Sequence, residues 1–330
     1  MKKLHTKSPC CRGDIRKFGK RRRQCTRCGN TWRIRKKKRG RKSKRADDRF
    51  AFKYITRAYP SLQQIAKRRG VGRELIRRKL ARGLAAYVRK DSWPIPLGTS
   101  PLILIADALW HIIDGEPCTV YIRLVRPRDD AEAHILEPLV IPGIESMTGW
   151  EIALEEIPEH LKKRIVALVC DGEPHLVYLG KQHGWILQRC HFHLLASIKN
   201  YVSGGPLSRN RAFGRAVLSV VHTILTTPND TERYQKLEEL RVLRRNARNP
   251  KLRSRLSGFM KNVEDYISYL HYPDLKLPAT TNAAESLNQC IRDMLYRTRG
   301  LRSVQSFSLW VRALCLSKKK IKCLPKSQPN

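Results

Sequence analysis

Two short apolar runs, each followed by an aspartate, constrain the fold of this chain more than any other feature. Residues 102–106 precede Asp107, and residues 165–170 precede Asp171. Continuous apolar runs of this length are typical of strands that are covered on both faces by helices. The pattern therefore predicts an α/β core, to which we also assign a strand over residues 118–125, a helix over 173–183 and a short strand over 185–189.

Each of the two aspartates stands where its predicted strand ends. Neighbouring strands that end at the same edge of a sheet would bring the carboxylates of Asp107 and Asp171 close enough to share a metal ion. Carboxylate oxygens are ligands that Mg2+ prefers, and a pair of such ions can activate an attacking oxygen and stabilise a leaving oxygen of a phosphodiester. An aspartate after a strand is also a common turn former, so this pattern alone leaves both interpretations open.

A third acidic candidate lies in residues 280–288, which open a predicted helix. Thr281 or Asn282 can cap this helix, and Glu285 then falls in its first turn, where a capping role would also explain it. Asn282, Glu285 and Asn288 are spaced by three residues and therefore share one helix face. A polar face of this kind needs partners, and a metal ion or DNA would serve.

The charge of the chain points to polyanionic partners. Its 67 Lys and Arg residues outnumber 28 Asp and Glu residues, which gives a formal net charge of +39. Nucleic acid is the first candidate, because neutralising its phosphates releases condensed counterions. A membrane is not favoured, because no apolar run reaches the ~18–20 residues that span a bilayer and the N-terminus lacks the apolar segment of a signal peptide. We therefore expect an intracellular protein without a membrane partner.

Four of the ten cysteines crowd the first 28 residues, namely Cys10, Cys11, Cys25 and Cys28. Because nothing in the sequence indicates secretion, a metal site explains this cluster better than disulfides do.

The segment that follows the cysteines is almost purely basic and includes Lys36, Lys37 and Lys38. We predict that it lies along DNA phosphates. A solvated, disordered linker would have the same composition, and the two interpretations are compatible because such arms can become ordered on DNA.

Residues 61–80 have the layout of a helix-turn-helix. Ser61 can cap the first helix, and Gly70 can form the turn between the two. The second helix would present a basic face outward, as a recognition helix does. We predict DNA contacts from Arg73, Arg77 and Arg78. A plain helical hairpin would show the same pattern.

A helical region follows the predicted sheet. Residues 208–270 carry helical periodicity, with Pro228 and Pro250 as breaks and a helix start near Asn229 or Asp230. We predict helices over residues 216–225, 234–248 and 259–270. They form an all-helical insertion between Asp171 and Glu285.

A Cys-x-x-His pair, Cys190 and His193, precedes this insertion. With no second pair nearby it does not predict a structural zinc site. We expect a buried thiol and a hydrogen-bonded histidine that shape the site around Asp171, and an exposed His191.

In their order along the chain, these motifs resemble the Mutator-type insertion-sequence transposases. The matching elements are the strand before Asp107, Cys-Asp171-Gly172, Gln188-Arg-Cys190-His-Phe-His193, the helical insertion, and Thr281-Asn282-Ala-Ala-Glu285-Ser-Leu-Asn288. The resemblance covers about residues 100–315. It implies a ribonuclease-H-like (retroviral-integrase-like) fold with a DDE triad of Asp107, Asp171 and Glu285, supported by Cys190, His193, Asn282 and Asn288.

The N-terminus resembles the zinc-ribbon arms of some of these transposases. Cys25 and Cys28 form a zinc knuckle, but the other half, expected as Cys-Pro-x-Cys, begins with Ser8. Cys11 fits the second position. The fourth ligand is therefore Cys10 or His5, or the site is degraded.

The resemblance implies a DNA transposase that binds terminal inverted repeats and uses Mg2+ or Mn2+ for DNA cleavage and strand transfer. Its partners would be double-stranded DNA and further copies of itself. Arg292, downstream of Glu285, is a candidate for a phosphate contact, and a merely solvated side chain would also explain it. We expect it in the cytoplasm with the nucleoid, or in the nucleus of a eukaryotic host. The alternatives are a transposase-derived DNA-binding protein without catalysis and a structure-specific nuclease of the same fold.

The predicted domain organisation has six parts, in which the insertion interrupts the catalytic core. They are a zinc ribbon (residues 1–35), a basic linker (36–50), a helix-turn-helix (51–90), the ribonuclease-H-like core (100–200 and 275–315), the helical insertion (201–274) and a basic tail (316–330).

Overall fold

The computed structural model describes residues 7–20, 22–33, 45–56, 61–90, 93, 95, 98–202, 211–298, 301 and 303–323. The chain divides into two compact units, Met1–Ala46 and Asp47–Asn330, and each is described by itself. The predicted ligand His5 and the basic residues Lys36, Lys37 and Lys38 lie outside the described residues.

The first unit contains a three-stranded antiparallel sheet. Its strands, in spatial order, are β1 (Ile15–Lys17), β2 (Arg22–Cys25) and β3 (Thr31–Arg33). The turn between β2 and β3 carries Cys28 and ends at Gly29, whose φ of +72° suits glycine. Gly13 permits a close approach of two loops, because a Cβ there would lie 2.8 Å from the Cys25 sulfur.

The second unit begins with three helices, α1 (Arg45–Thr56), α2 (Leu62–Arg69) and α3 (Arg73–Lys90). The sequence prediction for residues 61–80 is confirmed at both helix ends. Ser61 and Gln64 form a capping box, and Gly70 ends α2 in the left-handed conformation. The buried side chains of these helices, such as Ile76 and Leu84, join the same apolar core as the sheet described next.

A seven-stranded mixed sheet forms the centre of the second unit. Its strands are β4 (Leu102–Ile113), β5 (Glu116–Pro127), β6 (Glu132–Ile135), β7 (Leu139–Pro142), β8 (Ile165–Cys170), β9 (Ile186–Arg189) and β10 (Lys320–Lys322). The spatial order is β10-β6-β5-β4-β8-β9, and β7 also pairs with β5. The long β4–β5 hairpin is antiparallel, whereas β4, β8 and β9 run parallel.

The prediction that a strand ends at Asp107 is wrong. β4 continues to Ile113, and Asp107 lies in its middle, opposite Ile122 of β5. The apolar run stops at Ala106, but backbone pairing with β5 carries the strand further, because a hairpin partner supplies the hydrogen bonds whatever the side chains are.

Helices cover both faces of the sheet, as the apolar runs predict. They are α4 (Met147–Glu155), α5 (Glu159–Lys162), α6 (Pro174–Gln182), α12 (Asn282–Thr298) and α13 (Val304–Lys318). Side chains alternate along a strand. Leu102 and Leu104 of β4 face the core that includes α4 and α6, while Ile103 and Ile105 face the core that includes α12 and α13. The alternation places Asp107 on the side of α12.

The helical insertion has an apolar core of its own. The helix before it, α7 (His191–Val202), packs into this core together with the helices of the insertion, which are α8 (Arg211–Thr226), α9 (Asp230–Asn246), α10 (Pro250–Lys261) and α11 (Val263–His271). The predicted helix start is confirmed, since Asn229 caps α9. The predicted single helix over residues 259–270 is wrong. Asn262 separates α10 from α11, with a φ of −120° that is not helical.

Candidate active site

Asp107 is held from both sides of its carboxylate. Its side chain is only 6% exposed. Oδ2 accepts a hydrogen bond of 2.8 Å from Nδ2 of Asn288 on α12, and Oδ1 accepts one of 2.9 Å from its neighbour's backbone N–H. Burial, followed by the negative charges of Asp171 and Glu285, raises the pKa of Asp107 to about 8. The three carboxylates are therefore near enough to repel one another.

Asp171 follows the last residue of β8 and stands at the start of a tight turn. Its Oδ1 accepts a hydrogen bond of 2.9 Å from the backbone N–H of Glu173. Gly172 has a φ of +96°, and a Cβ there would lie 2.6 Å from the guanidinium of Arg189. Arg189 in turn donates a hydrogen bond of 3.0 Å to the carbonyl of Gly172. The turn therefore requires glycine both for its conformation and for its close contact with Arg189.

Glu285 occupies the first turn of α12, as predicted, and its carboxylate faces a histidine. Its Oε1 lies 2.9 Å from Nε2 of His193, and the side chain is 29% exposed. This hydrogen bond lowers the pKa of Glu285. Hydrogen bonds to Cys190 and then to Glu285 raise the pKa of His193 to about 10. The position of Glu285 is therefore set by a charged pair with α7.

Cys190 connects the start of α7 to the loop before α12. Its sulfur lies 3.3 Å from the backbone N of Thr281 and 3.4 Å from the Thr281 hydroxyl oxygen. Burial would raise the pKa of the thiol, but hydrogen bonds from His193 and Thr281 lower it. The Cys-x-x-His pair thus holds the segment that carries Glu285. It also lies beside Asp171, as expected, because the N–H of Cys190 donates a 2.8 Å hydrogen bond to the carbonyl of Cys170.

Gln188 and His191, in the same motif, hold the helical insertion. Nε2 of the fully buried Gln188 donates a 2.8 Å hydrogen bond to the carbonyl of Tyr266 on α11, and its Oε1 accepts one of 2.8 Å from the N–H of Tyr269. Nε2 of His191 lies 2.6 Å from the same Tyr266 carbonyl. The expectation of an exposed His191 is wrong, because the side chain is 2% exposed. We call Gln188, Cys190, His191 and His193 the β9–α7 clamp.

The carboxylates are not gathered into a tight ligand set. In the described part of the chain, one group of three or more His, Cys, Asp or Glu side chains has its ligand atoms all within 4.8 Å of one another, and it consists of the N-terminal cysteines. The triad is more widely spaced.

The N-terminal thiols form the tighter cluster. The sulfur atoms of Cys10 and Cys28 are 3.3 Å apart, as are those of Cys11 and Cys25. The prediction left the fourth ligand open, and the described residues bring Cys10 into the set. Ser8 is buried, and its hydroxyl donates a 3.1 Å hydrogen bond to the Cys25 sulfur. That hydrogen bond lowers the pKa of Cys25 to about 5.

The remaining predicted residues are dispersed. Asn288 is buried at Asp107, whereas Asn282 and Arg292 are exposed on α12. Arg73, Arg77 and Arg78 are exposed on α3, as a recognition surface requires, but Glu74 pairs with Arg77 at 2.8 Å and with Arg78 at 3.9 Å. Sequence reasoning missed Arg189, whose only signal was its place beside Cys190.

Comparison with known proteins gives one result for the family. Residues 127–319 match the family model described as "Transposase, Mutator family". No curated protein matches the chain. None of the helices in the described ranges has the length and apolar character needed to cross a membrane.

Proposed function

This chain belongs to the Mutator family of transposases, and we propose that it is a DNA transposase whose active site consists of Asp107, Asp171 and Glu285. One observation carries the proposal. Asn288 lies one helical turn after Glu285 and donates to the carboxylate of Asp107, so that α12 is fixed against β4 with Glu285 toward the two aspartates. The mixed sheet with helices on both faces is compatible with the ribonuclease-H-like fold that we propose for this core.

The donor set fits a hard divalent cation. Three carboxylates whose charges repel one another gain from a cation between them, and carboxylate oxygens suit Mg2+ or Mn2+. When bound, such ions would supply Lewis-acid activation of an attacking oxygen and stabilisation of a leaving oxygen at phosphorus. The carboxylate oxygens of Asp107, Asp171 and Glu285 would bind these ions.

The other residues of the site position these three carboxylates. Asn288 orients Asp107, and His193 orients Glu285 by a hydrogen bond to its carboxylate. The Gly172 turn, held by Arg189, fixes the backbone on which Asp171 stands. Positioning of this kind supports catalysis because reacting groups must be held within a fraction of an ångström.

We propose zinc as the ion for the thiol cluster. Zinc–sulfur bonds of about 2.3 Å in a tetrahedron separate the sulfurs by roughly 3.8 Å, and the four sulfurs of the cluster all lie within 4.8 Å. The ligands are Cys10, Cys11, Cys25 and Cys28, with Ser8 as a hydrogen-bond donor to one of them.

The DNA partners follow from charge and from the arms of the chain. The net charge of +39 and the exposed arginines of α3 support binding to double-stranded DNA. We propose that the ribbon and the helix-turn-helix recognise the terminal inverted repeats. Joining two element ends requires two active sites, so we propose a homo-oligomer on DNA, at the nucleoid or, in a eukaryotic host, in the nucleus.

The replacement Asp107→Asn tests the proposal. We expect it to abolish Mg2+-dependent nicking of a DNA duplex that carries the element's end, while DNA binding at fixed salt is kept, because the amide keeps the shape of the side chain but loses the negative charge that attracts the cation. Asp114→Asn is the matched control. Asp114 is exposed in the turn of the same hairpin at a φ of 54°, which asparagine tolerates.

Each outcome of this experiment separates the proposal from its alternatives. Normal nicking by Asp107→Asn would remove Asp107 from the active site. Binding without nicking by the wild type would favour a non-catalytic DNA-binding protein. Nicking without joining of the cut end to a second DNA molecule would favour a structure-specific nuclease.

A further inference from the structure

A separate cavity lies beside the candidate active site, among β9, α7, α10 and α11. Its volume is 330 Å³, at the small end of the roughly 300–1,000 Å³ of ligand pockets. We call it the α10 pocket and define it by Arg189, Tyr201, Lys251, Arg255, Gly258 and Tyr266. Lys251, Arg255 and Gly258 follow one another at spacings of four and three residues, so one face of α10 forms a wall of the pocket.

The charged side chains that line the pocket are all positive. Three cations line it, and no acidic side chain of the described ranges does. Asp265 of α11, which does not line the pocket, is attracted electrostatically by Arg189, and its carboxylate pairs with Lys181 at 3.8 Å. Converging cations in a concave surface attract an anion, and arginine and lysine are the usual partners of phosphate.

Arg189 connects the pocket to the catalytic strands. Its guanidinium lies 5.1 Å from the ring centre of Tyr266 in the pocket, and it donates to the carbonyl of Gly172, the neighbour of Asp171. An anion held in the pocket would therefore contact the same side chain that fixes the Asp171 turn.

We propose that the α10 pocket binds one backbone phosphate of the DNA strand that runs to the three carboxylates. Lys251, Arg189 and Arg255 would neutralise the phosphate. Tyr201, which is 37% exposed at the rim, would offer a flat face to the adjoining sugar or base. The identity of the ligand rests on the proposed function, whereas the anion-binding character rests on the lining residues alone.

The first test fills the cavity without changing its charge. A Cβ at Gly258 has no atom within 4 Å, and Gly258 lines the pocket, so a phenyl ring at this position is expected to occupy the cavity. We expect Gly258→Phe to weaken binding of a short fluorescein-labelled DNA duplex of mixed sequence at least several-fold, while Gly258→Ala binds like the wild type. Anisotropy titrations without divalent ions measure this independently of cleavage. Thermal unfolding checks that both variants fold.

The second test compares two variants that each lose one positive charge of α10, one inside the pocket and one outside it. The plot of log K against log salt has a negative slope, and Arg255→Ala should reduce the magnitude of that slope by up to about 1, the loss of one phosphate contact. Arg253→Ala is the matched control, since Arg253 is an exposed arginine of the same helix that does not line the pocket. Its slope should stay within error of the wild-type slope.

The results separate this inference from the proposed function. Equal effects of Arg255→Ala and Arg253→Ala, or undiminished binding by Gly258→Phe, would overturn the α10 pocket as a phosphate site while leaving the transposase proposal intact. Failure of the wild type to bind any DNA duplex would instead refute the DNA partner itself.

Discussion

The two clusters of ligand-type side chains in this protein are built in opposite ways. The thiol cluster takes its four members from residues 10 to 28, and their sulfurs lie within 4.8 Å of one another. The three carboxylates come from distant parts of the chain and are spaced more widely. Each aspartate or glutamate has a hydrogen-bond partner outside the triad, which for Asp107 and Glu285 is a side chain from another element.

The two clusters are expected to have opposite effects on the stability of the units that contain them. Local turns bring the thiols together, and a bound ion would supply folding energy to a unit with little apolar core. The carboxylates depend on a large core and repel one another within it. The first site is expected to stabilise its unit, whereas the second is expected to cost stability until a cation is present.

Removal of zinc should have the largest effect on this contrast. Because structural zinc contributes apparent binding energies of about 10–16 kcal/mol in small domains, chelation should unfold the three-stranded sheet and leave the mixed sheet folded. Hydrogen exchange resolved by segment measures this, with β4 and β8 as the internal control. Persistent protection of β2 in protein verified to be free of metal would contradict the expected role of the ion.

Replacement of Gln188 by Leu should destabilise the second unit by about 2–4 kcal/mol. The change removes the side-chain partner of the Tyr269 N–H, which costs about 1–3 kcal/mol, and one hydrogen bond to the Tyr266 carbonyl, which costs about 1 kcal/mol because His191 still donates to that carbonyl. Denaturant unfolding measures the loss. Gln182→Leu is the control, because Gln182 is exposed on α6. Similar stabilities of the two variants would argue against the β9–α7 clamp.

The three carboxylates together should lower the free energy of unfolding when no divalent ion is present. Without divalent ions, Asp107→Asn should raise the free energy of unfolding at neutral pH by on the order of 1–2 kcal/mol, because it removes a carboxyl group that has to take up a proton on folding when burial and two other carboxylates raise its pKa to about 8. Added Mg2+ should raise the melting temperature of the wild type more than that of the variant. A variant that is less stable than the wild type without metal would contradict the like-charge explanation.

Ser8 should give the smallest effect and sharpen the assignment of ligands. Ser8→Ala removes a hydrogen bond to a ligand sulfur but no ligand, so zinc should stay at one ion per chain with about tenfold weaker affinity. Cys10→Ser should lose the ion. Metal content after dialysis, followed by competition with a chromophoric chelator, distinguishes the two. If Ser8→Ala lost its zinc while Cys10→Ser kept it, Ser8 rather than Cys10 would be essential for holding the ion.

The parts of the fold that depend on local pattern could be predicted from the sequence. The apolar runs of β4 and β8, the caps at Ser61 and Asn229, and the place of Glu285 in a first turn all depend on residues near one another. The extension of β4 beyond Asp107 could not be predicted, because it comes from pairing with β5. The break between α10 and α11 could not be predicted either, because Asn262 is not a Pro or Gly that would indicate the end of a helix.

The residues of the candidate site were predictable as types, but their contacts were not. His191 had no sequence signal for burial, since its partner is a main-chain carbonyl on a helix far along the chain. The same holds for Gln188 and for Arg189. Cys190 was expected near Asp171 and its backbone does pair with Cys170, but the contact of its sulfur with Thr281 could not be foreseen. Such pairings arise only when the insertion folds back onto β9.

The carbonyl of Tyr266 accepts hydrogen bonds from two members of the β9–α7 clamp, and every amino acid has a carbonyl. Substitutions at position 266 can therefore preserve the junction as long as α11 keeps its course. On the side of β9 and α7 the junction depends on the identity of two side chains, whereas on the side of α11 it depends on the position of a main-chain carbonyl. An insertion of unrelated sequence could consequently be grafted onto this core if one of its helices presented a carbonyl at the same point in space.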